Sequence, residues 1–217
     1  MSTPIFNASE RLYVPIEQIA IPSDISIFGS HFGENSYYAD LAGVARKYVP
    51  QHILEIGVRF GYSGIALTSG ALAGGAGPPV TYVGLDAEFF SGPLPDDAYG
   101  NYRSNAVAAE NFRRFRPGVE TEFHTCDTRL GLPKAILTRR FDLINVDGDH
   151  SFAGAYGDLT RVWPLLNQGG LILVDDMGMA DVRRAVEQFR DEYAADLAGY
   201  QVHQNDRGLA LLRRGKD

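Results

Sequence analysis

The chain has 217 residues, and 45% hydrophobic with 22% charged side chains is the composition of one ordinary globular domain, which argues against wholesale disorder. Lys and Arg total 20 against 27 Asp and Glu, and a net charge of −7 exerts no pull on a phosphate backbone, so nucleic acid is not an expected partner. There is no membrane-length apolar run and no secretory leader pattern, and the single cysteine, Cys126, excludes an internal disulfide or a cysteine-built zinc site; a cytoplasmic protein is expected.

Residues 1–34 carry Pro4, Pro15 and Pro22 among short apolar clusters with no period, and read as an arm or lid that the pattern leaves unassigned. From 36 to 48 apolar residues recur at three and four positions, an amphipathic helix that stops before Pro50. A short apolar strand follows at 52–58, then a glycine-bearing turn and a helix over 61–74 that AGGAGPP breaks. A second strand spans 80–87, the stretch 88–100 is a loop by composition, and 101–115 is helical up to Pro117-Gly118. Strand 119–127, short helix 132–140, strand 141–149, helix 151–166, strand 169–177 and helix 179–197 complete the alternation. Two strand-like runs within 200–214 are separated by Asn205-Asp206-Arg207-Gly208, a hairpin signal.

Strands alternating with helices imply βαβ units in a mostly parallel sheet covered on both faces. The last turn has no room for a crossover helix, so the final two strands should pair antiparallel. The expected fold is α/β: a doubly wound, mostly parallel, seven-stranded Rossmann-like sheet over residues 35–217, ending in an antiparallel hairpin.

Between the first strand and its helix lies Glu55-Ile-Gly57-Val-Arg-Phe-Gly61-Tyr-Ser63-Gly. Glycines there allow a tight turn at the carboxyl end of the sheet, where open α/β folds bind ligands. The spacing is G-x-x-x-G, unlike the G-x-G-x-x-G of dinucleotide folds, and an acidic residue just before it suits an amine or sulfonium better than a pyrophosphate. Asp86, ending the second strand, can accept hydrogen bonds from both hydroxyls of a ribose. Glu55-x-Gly57-x-x-x-Gly61, Asp86 and the closing hairpin together resemble the class I S-adenosylmethionine-dependent methyltransferases. The resemblance implies that Glu55, Gly57, Gly61 and Ser63 hold the aminocarboxypropyl end of that cofactor, Asp86 its ribose and Asp127 its adenine amino group, with Asp147 beside it.

Two acidic motifs stand at neighbouring strand ends: Asp147-Gly-Asp149-His150 and Asp175-Asp176. Converging carboxylates repel, each favouring its protonated form, and a divalent cation removes the conflict. All-oxygen ligation suits Mg²⁺ or Mn²⁺ rather than zinc. The stretch FDLINVDGDHSFAGAYGDL with LLNQGGLILVDDM is similar to the cation-dependent small-molecule O-methyltransferases, of the macrocin and sugar-modifying type and more distantly of the catechol type. That similarity implies Asp147, Asp175 and Asp176 as cation ligands. Catechol-type enzymes carry Asp-x-x-Lys with the lysine as base. Here Asp147-x-x-His150 stands instead, and His150 is open to three roles: base, ligand or orienter. Asp149 or Ser151 could equally cap the next helix, and Trp163 reads as core.

The expected activity is methyl transfer from S-adenosylmethionine to a hydroxyl of a small molecule, natural-product or sugar-like, with His150 and Asp147 in catalysis. A metal-independent methyltransferase acting on an amine, and a non-catalytic cofactor-binding module, stand as alternatives. A homodimer is the default assembly, and the aromatics Phe89, Phe90, Tyr99 and Tyr102 are candidates for a lid or for loop anchors.

Overall fold

Central strands buried on both faces, with helices packed over each face, set the layers. The computed structural model describes residues 36–88, 104–204 and 207–215; the expected N-terminal arm and the aromatic loop lie outside them. Helix α1 (Ser36–Tyr48) buries Tyr37, Leu41, Val44 and Ala45, the stripe of a helix packed on one side. Strand β1 (His52–Ile56) leads into α2 (Tyr62–Ala73), whose residues 62–71 are all buried, so α2 lies under α1 rather than on the surface. Then follow β2 (Val80–Asp86), α3 (Ser104–Phe115), β3 (Val119–Thr125), a 3₁₀ turn (Thr128–Leu130), α4 (Lys134–Leu137), β4 (Phe141–Val146) and α5 (Phe152–Val162). A second 3₁₀ turn (Trp163–Leu165), β5 (Leu166–Val174), α6 (Ala180–Glu192), β6 (Leu197–His203) and β7 (Leu209–Arg214) close the chain.

The seven strands lie in the order β3-β2-β1-β4-β5-β7-β6, parallel from β3 to β5 and antiparallel in the final hairpin, as expected from sequence. The winding reverses between β1 and β4, so the ligand crevice belongs above their carboxyl ends. Alternate side chains feed two cores. Ile53, Tyr82, Leu143 and Leu173 face α1, α2 and α3, while Leu54, Val83, Ile144 and Ile172 face α5 and α6. No helix among the described residues is long and apolar enough to cross a membrane.

Three boundaries differ from the pattern reading. The helix expected to reach residue 166 ends at Val162, because Pro164 forces a 3₁₀ turn. Its strand then starts at Leu166, before the glycines, with a register shift between Phe141 and Leu143 opposite it. The helix expected to reach 197 ends at Glu192. There Tyr193 folds back onto Phe189 (4.3 Å between ring centroids) and Trp163 (5.6 Å), and Asp196 N–H closes a turn on the Tyr193 carbonyl at 2.9 Å. Trp163 is core, as read.

Among the described residues β3 forms one margin of the sheet, with Glu122 engaged by His124 (2.6 Å) and by Arg139.

Candidate active site

Main-chain hydrogen bonds carry the sheet past its formal ends. Gly57 N–H donates to Leu85 O (2.9 Å), Asp147 N–H to Ile56 O (2.9 Å) and Asp175 N–H to Val146 O (3.2 Å), so the residues after β1, β4 and β5 stay in step. Backbone strain gathers at the same end. Four described non-glycine residues have left-handed φ, and three of them, Arg59 (49°), Glu88 (56°) and Asp176 (58°), follow β1, β2 and β5. Each such residue costs on the order of 1–2 kcal/mol and persists where surrounding structure holds it, most often at functional sites.

Gly57 has φ of 85°, and a Cβ there would sit 1.8 Å from the Asp147 carbonyl oxygen. The turn after β1 is therefore pressed against the Asp147 loop, which only glycine allows. Gly61, with φ of 80°, is the N-cap of α2 and supplies no side-chain cap. A helix start of this kind suits an anion such as a cofactor carboxylate. Asp86 is oriented by two backbone donors, Arg59 N–H at 2.8 Å and Glu88 N–H at 2.6 Å, one to each carboxylate oxygen. Each oxygen keeps a lone pair for a diol. An uncapped helix start, a fixed carboxylate beyond it and an acidic rim fit the zwitterionic, ribose-bearing and cationic parts of S-adenosylmethionine.

Glu55 and Ser63 sit beneath this loop rather than in it. The Glu55 side chain is wholly buried on the α2 face of β1 and receives hydrogen bonds from Ser63 Oγ, Tyr82 OH and Asn145 Nδ2, the last at 2.7 Å. Burial raises its pKa from 4.5 to about 7 against the pull of those three donors. Asp127 caps the turn after β3 and is gripped by the Arg129 guanidinium at 2.9 and 2.7 Å, which holds its carboxyl below the ordinary value. Neighbouring Cys126 is partly buried, and burial and Asp127 push its thiol up, away from nucleophilic reactivity.

The two acidic motifs meet. His150 Nε2 lies 3.2 Å from Asp147 Oδ1 and 3.2 Å from Asp176 Oδ2. One ligand atom from each of Asp147, His150 and Asp176 falls within 4.8 Å of the others. The hydrogen bond to Asp147 raises the pKa of His150 against the effect of burial, with Asp176 and Asp175 adding to the rise. Two carboxylates at this spacing fit a hard divalent cation with positions left for water or substrate, and the imidazole stands beside them. Asp175 lies outside that group of three. Its carboxylate is buried, with Oδ2 2.9 Å from the Arg207 guanidinium, and burial with Asp147 nearby pushes its pKa strongly up. Ser151, not Asp149, caps α5, accepting from Gly154 N–H at 3.1 Å.

Arg207 was not singled out from the sequence, yet it reaches the centre of the site. Its Nε and Nη2 donate to Asp176 Oδ1 (2.9 Å) and Oδ2 (2.8 Å), and Nη2 lies 2.9 Å from Asp175 Oδ2. The hairpin turn signal held the clue. A turn leading into a strand antiparallel to β5 lies at the carboxyl end of β5, beside Asp175-Asp176. Tyr82 and Asn145, the donors to Glu55, were missed for a different reason: only strand register brings them together, with Gly84 and Asn145 flanking Glu55.

Comparison with known proteins decides the family. Residues 54–177, more than half of the chain, match the family described as "Methyltransferase domain". The chain belongs to that family. No curated protein sequence matches it. Among solved structures it is similar to an O-methyltransferase from Bacillus cereus in complex with SAH, at 18% identity and a TM-score of 0.63 over 94% of this chain and 93% of that one. It is also similar to the SAH-bound Podospora anserina methyltransferase PaMTH1 (20% identity, TM-score 0.56, 93% and 85% coverage). A third likeness is to the O-methyltransferase TomG from Streptomyces achromogenes, involved in tomaymycin synthesis, in complex with SAM (20%, 0.57, 82% and 79%). At such identities the likeness is one of fold. This methyltransferase has the class I S-adenosylmethionine-dependent architecture, with Glu55, Gly57, Gly61, Asp86, Asp147 and Asp176 all at the carboxyl end of its sheet.

Proposed function

We propose that this methyltransferase moves a methyl group from S-adenosylmethionine to a hydroxyl oxygen of a small molecule, with a divalent cation, Mg²⁺ or Mn²⁺, at Asp147 and Asp176. The observation that carries the reading is the convergence of Asp147, His150 and Asp176 within 4.8 Å beside the Gly57 loop. The O-methyltransferases among the structural neighbours support an oxygen acceptor.

When bound, the cofactor supplies an electrophilic methyl carbon and the cation a Lewis acid that lowers the acceptor hydroxyl's pKa. The chain's own work is positioning. The α2 N-terminus and Asp86 fix the two ends of the donor, and holding acceptor oxygen, methyl carbon and sulfur in line can remove roughly 7–11 kcal/mol of barrier in favourable cases. A nitrogen that ligates a cation cannot also take a proton. The carboxylates of Asp147 and Asp176 therefore hold the cation, and His150 receives the acceptor's proton at Nε2. Asp175, paired with Arg207, joins as a further ligand only by turning from that partner.

The test is turnover of labelled S-adenosylmethionine on a panel of phenols, sugars and glycosides, before and after EDTA. EDTA abolishes turnover, Mg²⁺ restores it, and Asp147→Asn removes it. Full activity after EDTA rejects the cation. One observation favours that outcome: Arg207 already neutralises part of the acidic cluster. A cation-free site for an amine acceptor would then be the reading.

A further inference from the structure

We infer that Arg207 is a positioning residue for the acidic site, whose guanidinium fork fixes the Asp176 carboxylate for a divalent cation. The inference rests on the cation reading above and concerns a residue outside both acidic motifs.

The fold delivers Arg207 with little freedom. Antiparallel pairing of β5 with β7, with Val174 opposite Ala210, puts the β6–β7 turn over the carboxyl end of β5. The turn is fastened there by Gly178 N–H to the Arg207 carbonyl (2.8 Å) and Met177 N–H to the Gly208 carbonyl (3.0 Å). The hairpin is also tied to α1, where His203 Nε2 meets Asp40 Oδ2 at 3.1 Å with both side chains buried. From α1, Tyr37 places its ring 5.0 Å from the Arg207 guanidinium carbon, a cation–π support that leaves the fork aimed at the acids.

At the acids the fork does two things. It holds the plane of the Asp176 carboxylate through one N–H on each oxygen, at a residue whose backbone is itself left-handed. Each carboxylate oxygen has about two acceptor positions, so each keeps one for a cation or for His150. Arg207 also carries one positive charge into a cluster of three carboxylates, Asp147, Asp175 and Asp176. A lysine supplies the charge but not the planar fork.

The experiment is Mn²⁺ binding to the full-length protein, by titration calorimetry and by the free-Mn²⁺ electron paramagnetic resonance signal. Wild type, Arg207→Met and Arg207→Lys are compared, with S-adenosylhomocysteine affinity as the check on folding. Arg207→Met weakens Mn²⁺ binding roughly 10- to 100-fold, the usual cost of removing a group that orients a ligand, while homocysteine-cofactor affinity stays within about threefold. Arg207→Lys recovers only a small part of the loss. Should Arg207→Met fail to fold, Arg207→Gln serves the same comparison. Unchanged or tighter Mn²⁺ binding in Arg207→Met overturns the inference and makes the guanidinium a competitor of the cation. Full rescue by lysine overturns the role of the fork. A wild-type protein that binds no Mn²⁺ at all overturns the cation reading and this inference with it.

Discussion

Replacing Glu55 by Gln tests whether burial or hydrogen bonding governs the carboxyl under the cofactor loop. A folded carboxyl that titrates near 7, against an ordinary value of 4.5, binds more protons than the unfolded chain across that interval. Stability therefore falls as pH rises through the window and is lowest above it. Those two values give about 3 kcal/mol in all, most of it lost between pH 5 and pH 8. The side chain is wholly buried, so solvent does not screen the effect. Glutamine keeps the shape and an acceptor for the Asn145 amide, but cannot ionise. Urea unfolding of wild type and Glu55→Gln, at steps of about one pH unit from 5 to 8, should give a stability difference that moves in the variant's favour by that amount. Taking the difference between the two proteins removes the contributions of Asp158 and Asp175, which burial also raises and which both proteins share. Parallel stability curves would refute the reasoning. They would mean that the donors Ser63, Tyr82 and Asn145 outweigh burial and that Glu55 is ionised throughout.

Three further outcomes follow from the same coordinates. Gly57→Ala forces a Cβ to within 1.8 Å of the Asp147 carbonyl at a φ of 85°, so it should lose more than about 2 kcal/mol, a melting-temperature drop of at least about 5 °C in calorimetry. His203→Leu strips the buried Asp40 of this partner and should cost about 3 kcal/mol in urea, with retained stability counting against any strut between hairpin and α1. His150→Gln should lower kcat by roughly 10²- to 10⁴-fold while leaving Mn²⁺ affinity near wild type, as loss of a proton acceptor does; loss of Mn²⁺ binding instead would make His150 a ligand.

Much of this could be read in advance because the relevant signals are local. Strand-then-glycine-then-helix marks the turn after β1, and Asp86, Asp147 and Asp176 stand where their strands run out, so their approach follows from sheet order alone. What lay beyond reading depended on partners far away in the chain. Glu55 looks like a cofactor ligand until Tyr82 and Asn145 arrive across the sheet to satisfy it. Asp175 and Asp176 are chemically identical neighbours, yet the left-handed turn at Asp176 sends one carboxylate to His150 and leaves the other buried against Arg207. The ends of α5 and α6 were misplaced for a related reason. Pro164 was a visible stop, whereas the packing of Tyr193 on Phe189 and Trp163 was not.

The margin of the sheet at β3 has a bearing on the protein in a crowded solution. An outermost strand offers its bare amides and carbonyls to any passing chain, and a flat, apolar one seeds cross-molecular pairing. Here Glu120, Glu122 and His124 alternate along one side of that strand, with Glu122 clamped by Arg139. Carboxylates along such a border make that pairing costly for whatever chain approaches.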